Sequence, residues 1–191
     1  MDFLYTNPID RGKYYDKKYL VGLLESLKYF AFVLGLILII GLIFDPRKTL
    51  AYPILRYEGA VKNPMKNMDY SSYYTYISLG KYLLEALALS LSLLILLYTF
   101  AHSLSVKIKN RYKIYFIMAL VGLILILAVR YLPNTASFNP LAYFSINDVV
   151  DGSIAVKKNI LGISVAKGIS LMLILSGIIY FVGRKISTRV D

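Results

Sequence analysis

The stretch YLLEALALSLSLLILLYTFA, Tyr82–Ala101, holds one charged residue and neither proline nor glycine. A helix needs roughly 20 mainly apolar residues to cross a bilayer, and this stretch supplies them, with the good helix formers Leu and Ala dominant. Three further runs read the same way: Tyr29–Phe44, Ile114–Leu132 and Ile160–Val182. The first is short, but Tyr19–Leu27 is apolar enough to extend it, with Glu25 at the membrane surface. Hydrocarbon offers no water to backbone amides, so helices are the economical way across. The expected fold is all-α: a polytopic membrane protein with four transmembrane helices at about 29–44, 82–101, 114–132 and 160–182. An N-terminal amphipathic cytoplasmic segment is expected over residues 1–28, ahead of a membrane domain over 29–191.

Composition agrees. Of the 191 residues, 58% are hydrophobic and 17% charged, against about 25% charged in an ordinary soluble domain. The longest connection, Asp45–Lys81, leaves no room for an independent soluble domain. With no cysteine, disulfides, thiolate metal sites and thiol catalysis are excluded. The net charge of +11 reads as basic loops facing anionic headgroups rather than as a nucleic-acid surface. The first run is not a cleavable signal, because Asp45-Pro46 follows it with no small-residue cleavage site.

Lysine and arginine set the orientation. Arg11, Lys13, Lys17, Lys18 and Lys28, then Lys107, Lys109, Arg111 and Lys113, then Arg184, Lys185 and Arg189 fall on one side. The other side holds Arg47, Lys48, Arg56, Lys62, Lys66, Lys81, Arg130, Lys157 and Lys158 over much longer segments. By density, the positive-inside rule puts both termini in the cytoplasm.

Small residues let membrane helices approach closely. Ala86/Ser90 and Ala88/Ser92 in the second span, and Gly162/Ala166, Ser164/Gly168 and Ala166/Ser170 in the fourth, mark expected contact stripes. Two membrane-embedded charges, Glu85 and Lys167, lie near one boundary. Glu85 is expected to pair with Lys81 on its own helix or with Lys167 across helices; the sharper alternative is a substrate or ion path.

The N-terminal segment carries its own pattern. Pro8 biases Asn7 away from helix, and Asp10 is placed to cap a helix through Lys13, Tyr14, Lys17 and Lys18. Tyr15, Tyr19 and Leu23 would form its apolar side, Lys13, Lys17 and Lys18 its basic side, as in a helix lying on a membrane or docking on a partner.

The run Pro8-Ile9-Asp10-Arg11-Gly12-Lys13-Tyr14-Tyr15-Asp16-Lys17-Lys18 resembles the cytoplasmic loop of ABC transporter permeases of the type-2 exporter class. Pro8, Ile9, Arg11, Tyr14 and Lys18 fall in that loop's places, while Asp10 stands where Ser is commoner. The segment Phe138-Asn139-Pro140-Leu141-Ala142-Tyr143-Phe144, then Asp151-Gly152 and a last helix ending Tyr180-Phe181-Val182-Gly183-Arg184-Lys185, is similar to that family's outer segment and final span. The resemblance implies that Pro8, Ile9, Asp10, Arg11, Tyr14 and Lys18 touch a separate ATP-binding subunit, with Asn139, Pro140 and Tyr143 in the outer loop. It implies a second permease chain and transport directed outward. Family members usually have six spans, and the two ahead of the loop have no counterpart in this sequence. A compact or split permease, or first helices supplied by another chain, is therefore implied.

Other chemistry is scarce. No Gly-x-x-x-x-Gly-Lys-Ser/Thr loop occurs, so ATP hydrolysis by that device belongs to a partner. His102 is the one histidine, which leaves no two-histidine metal or haem site; it reads as a helix-terminus cation or a satisfied polar residue. No metal, cofactor or enzymatic activity is expected. Tyr70, Tyr73, Tyr74 and Tyr76 read as an interfacial aromatic belt, or more sharply as an outer gate. Rival functions are a non-transporting immunity, scaffold or assembly factor, and a cofactor-free accessory subunit of a membrane complex.

Overall fold

The computed structural model describes residues 10–44, 50–58, 74–131, 133–157 and 162–189. Four helices are long and apolar enough to cross a membrane: α1 (Arg11–Phe44), α2 (Leu79–Ser105), α3 (Arg111–Tyr131) and α6 (Val165–Arg189). This is the architecture of a multi-pass membrane protein. The short helices α4 (Ile146–Val150) and α5 (Ile154–Lys157) and two 3-10 turns, Pro133–Phe138 and Pro140–Phe144, lie between α3 and α6. Strands β1 (Pro53–Tyr57) and β2 (Tyr74–Ser78) pair antiparallel between α1 and α2, with Leu55 opposite Tyr76. The expected all-α fold thus carries one small hairpin.

Among the described residues, the turns ahead of the first apolar run are continuous with it. Arg11–Phe44 is one helix of 34 residues, about 50 Å long at 1.5 Å per residue. Its start is fixed by Asp10, whose Oδ1 accepts from the Gly12 amide at 2.9 Å and so satisfies one free N–H of the first turn. Neither proline nor a Gly-Pro stop interrupts the chain between Lys28 and Tyr29. Ser78 caps α2 through the Lys81 amide at 3.3 Å. Ser164 caps α6 in the same way, accepting from the Lys167 amide at 3.3 Å. The fourth helix therefore starts at Val165, not at Ile160, and runs beyond Val182 to Arg189.

Chain direction divides the molecule into two ends. Helices α1 and α3 begin, and α2 and α6 finish, at a basic end where Lys13, Lys17, Lys107, Lys109, Lys113 and Lys185 are exposed. The hairpin, the 3-10 turns, α4 and α5 gather at the opposite, capped end. Parallel helices α2 and α6 form the spine. Ser92 is buried between them, donating to the Leu89 carbonyl at 2.8 Å and lying 3.3 Å from Met172 Sδ. Gly168 leaves room for the Tyr143 ring and Leu89. Ala88/Ser92 and Gly168 therefore sit near the contact, whereas Gly162, Ala166 and Ser170 are exposed.

The core lies between this spine and the cap: Leu89, Leu96, Ala142, Tyr143, Val149, Val150, Ile154, Val165 and Met172. The hairpin is tied to it by the Tyr57 amide, which donates to the Asp151 carbonyl at 2.8 Å. Gly152 makes that approach possible. Its φ of 74° lies in the left-handed region, and a Cβ there would collide with the Tyr57 carbonyl oxygen. By contrast, the most apolar windows of α1 and α3 bury none of their residues inside the chain, the arrangement expected where lipid does the covering.

Candidate functional site

Three elements converge at the basic end, and the polar side chains buried there make the most developed site in the described residues. On α1, Tyr15 and Tyr19 are one turn apart and face inward. On α2, Thr99, His102 and Ser103 turn toward them, with Tyr98 beside. Tyr180, Gly183 and Arg184 come from α6. The Tyr15 hydroxyl lies 3.2 Å from Ser103 Oγ, and Ser103 gives its own proton to the Ile179 carbonyl at 3.2 Å. Tyr15 is therefore the donor. By the same logic Tyr19 donates to Thr99 Oγ1 at 2.9 Å, because Thr99 donates to the Ile95 carbonyl at 2.7 Å. Tyr98 closes the α1–α2 contact by donating to the Tyr19 carbonyl at 3.1 Å.

The α1–α6 contact is ionic. Asp16 Oδ1 accepts from the Tyr180 hydroxyl at 2.5 Å and from Arg184 Nε at 3.0 Å. Two glycines permit this closeness: a Cβ at Gly183 would press on the Tyr15 hydroxyl and Ser103, and one at Gly22 would strike the Tyr98 hydroxyl. Interhelical polar contacts of this kind are individually modest in a membrane. Here they act together with stacked rings.

His102 sits at the centre. Its ring lies 4.7 Å from the Tyr15 ring, 5.5 Å from that of Tyr19 and 5.9 Å from that of Tyr98. The residue is 7% exposed, and its Nε2 has no hydrogen-bond partner. It is neither an exposed helix-terminus cation nor a fully satisfied core histidine. What sequence reasoning missed is the convergence on it; the i, i+4 pairs Tyr15/Tyr19 and Tyr98/His102 were the available signal.

The other singled-out residues are dispersed. Pro8 and Ile9 lie outside the described residues, as do Tyr70 and Tyr73. Asp10 caps α1, while Arg11, Tyr14 and Lys18 are exposed on its first turns. Glu85 pairs with neither Lys81 nor Lys167: Arg56 Nη1 on β1 reaches its two oxygens at 3.0 and 3.2 Å. Lys167 instead donates to Ser137 Oγ at 3.0 Å and to the Gly162 carbonyl at 3.3 Å, with its ammonium 4.4 Å from the centre of the Phe138 ring. The structure thus splits the expected pair between two separate contacts at the capped end.

Asn139, Pro140 and Tyr143 build the cap. Asn139 Oδ1 accepts from the Leu141 amide at 3.0 Å, with Pro140 in the first turn where its missing N–H is harmless. Asn139 Nδ2 donates to the Leu125 carbonyl on α3 at 2.9 Å. Tyr143 is fully buried and donates to the Ser137 carbonyl at 2.8 Å; desolvation pushes its phenol up to about 12. Nearby, a hydrogen bond from Lys157 to Asp148 at 2.7 Å raises the lysine above its ordinary value.

Among the described residues no group of three or more His, Asp or Glu side chains is placed to hold a metal. Comparison with known proteins finds no matching family model, no matching curated protein and no matching solved structure. The functional reading therefore rests on the joint at the basic end and on the motif beside it.

Proposed function

We propose that this chain is a membrane-spanning permease subunit of an ATP-driven transporter, working with a separate ATP-binding subunit and a second permease chain, and exporting its cargo. Both termini face the cytoplasm in this reading, as the density of Lys and Arg favours. The observation that carries it is the continuity of α1. The end of the Pro8–Lys18 motif occupies the first turns of an unbroken 34-residue helix that is long and apolar enough to cross a bilayer. Arg11, Tyr14 and Lys18 are exposed at its tip, while Tyr15, Asp16 and Tyr19 knit the same turns to α2 and α6. A push on the exposed face is passed along one rod and, through Asp16, to α6.

The test is co-purification. Arg11→Glu with Lys18→Glu reverses two exposed charges at the proposed docking face. Capture of an ATP-binding subunit from native membranes by the tagged chain is expected to fall, with transport. Capture unchanged by the double reversal refutes the docking role.

A further inference from the structure

Beside the aromatic joint, the outer side of α1 forms a groove that shares Tyr14 and Lys18 with the proposed docking face and extends past it to Lys17, Val21 and Tyr98. It has a volume of about 520 Å³ and is lined by Tyr14, Lys17, Lys18, Val21, Tyr98 and His102. We infer that this groove binds the headgroup of an anionic phospholipid, with the phosphate between Lys17 and Lys18 and the acyl chains running up α1.

Charge is the first argument. Lys17 and Lys18 are exposed, and neither makes an ion pair among the described residues. The nearby carboxylates are engaged elsewhere: Asp16 with Tyr180 and Arg184, Asp10 with the Gly12 amide, and Glu25 with Lys28 at 2.7 Å. Two uncompensated ammonium groups beside tyrosine rings suit a phosphate held at a membrane surface.

Depth is the second. Tyr98 lies about 10 Å from the C-terminal end of α2 at 1.5 Å per residue. A helix of 27 residues is about 40 Å long, about 10 Å more than the hydrocarbon is thick, so its last turn stands among the headgroups and Tyr98 lies at the boundary with the hydrocarbon. Tyrosine is at home at that level.

Continuity is the third. A second shallow groove shares Val21 and passes along Leu24, Leu27 and Ala31 toward the middle of α1, with the self-compensated Glu25–Lys28 ion pair on its lining; Leu20, Val21 and Leu24 are each more than half exposed. Apolar surface for the acyl chains thus begins at Val21 and Leu24, directly beside the two lysines. The site overlaps the proposed docking face at Tyr14 and Lys18 but requires no ATP-binding partner, so lipid binding by the purified chain tests it separately from capture of such a partner.

The experiment uses the purified full chain in a neutral detergent and reads bound lipid by native mass spectrometry. Phosphatidylglycerol is offered against phosphatidylcholine, with glycerol phosphate as a soluble competitor. The expected result is selective retention of phosphatidylglycerol. Lys17→Gln with Lys18→Gln should reduce it about thirty-fold, given roughly tenfold or less for each surface lysine. Lys13→Gln, an exposed lysine on the same helix outside the groove, should leave it unchanged. All three lysines are exposed, so folding is not at stake, and an unaltered elution profile checks it. Equal loss with Lys13→Gln makes the attraction diffuse and overturns the site. Equal retention of phosphatidylcholine overturns the anionic preference. Displacement by glycerol phosphate at concentrations similar to those of the lipid identifies a soluble phosphate ester as the ligand and overturns the lipid assignment.

Discussion

Arg56 of the hairpin and Glu85 of α2 form an ion pair in which one guanidinium nitrogen reaches both carboxylate oxygens, with side chains 18% and 22% exposed. Removing one partner from such a half-buried pair leaves the other charge uncompensated. Arg56→Ala is therefore expected to lower stability by about 2 kcal/mol, between the values for exposed and buried pairs. Replacing both, as Arg56→Met with Glu85→Leu, should recover most of that loss. Thermal unfolding in detergent measures the three variants, and equal stability of Arg56→Ala and the parent chain refutes the clamp.

The contact of Asp16 with Tyr180 and Arg184 pins the start of α1 to the end of α6. Asp16→Asn keeps an acceptor for Tyr180 and removes the charge that holds Arg184. Hydrogen bonds to charged groups contribute about 1.5 kcal/mol or more, so local opening of the first turns should become about tenfold more frequent. Amide exchange over Gly12–Tyr19 reads this directly. Exchange confined to its original rate means that the ring contacts alone hold the joint.

Much of the fold was legible in Tyr82–Ala101 and its three sister runs, because run length and apolarity are local properties that lipid enforces strictly. The unbroken α1 was harder to read. Glu25 and Lys28 interrupt the apolar run, yet as an i, i+3 pair on an exposed face they sit comfortably in a helix. Nothing in the sequence stops that helix before Phe44. The hairpin left a faint mark in Ile54, Tyr57, Tyr74, Thr75 and Ile77, residue types that favour strands. Its two halves are far apart in sequence, and pairing at that distance has no local signal. The same reason hid Arg56 as the partner of Glu85. Residues 15, 102 and 180 meet only because α1, α2 and α6 pack together, so the spacing of Tyr15/Tyr19 and Tyr98/His102 marks which residues share a helix face but not that the faces meet.

Tyr143 supplies a test at alkaline pH. Its folded-state phenol is raised by burial from the ordinary value of 10.0 to about 12. A raised value means that the neutral phenol is favoured in the fold, so its contribution is complete below pH 10 and is lost as pH rises through about 12. Tyr143→Phe should destabilise by about 1–3 kcal/mol at neutral pH, since the Ser137 carbonyl loses its buried donor. The gap between parent and variant should narrow above pH 10, because only the parent titrates at this position. Melting curves taken as a pH series on both proteins check the sign; a gap that widens contradicts it.

His102 makes the opposite prediction for a buried polar group. Its Nε2 has no partner, and three tyrosine rings surround it. Burying an unsatisfied polar atom costs about 1–3 kcal/mol, and a phenyl ring of similar size carries no such atom. His102→Phe is therefore expected to change stability by no more than about 1 kcal/mol, relief at Nε2 being offset by loss of the imidazole's hydrogen bond to the Tyr15 backbone, while His102→Ala should destabilise by opening a cavity between α1 and α2. The pair of variants separates packing from polarity: the ring's volume is needed, the unpartnered Nε2 is not. A clear fall in melting temperature for His102→Phe, with the helical signal intact, would show that the imidazole nitrogen contributes a stabilising contact at this joint.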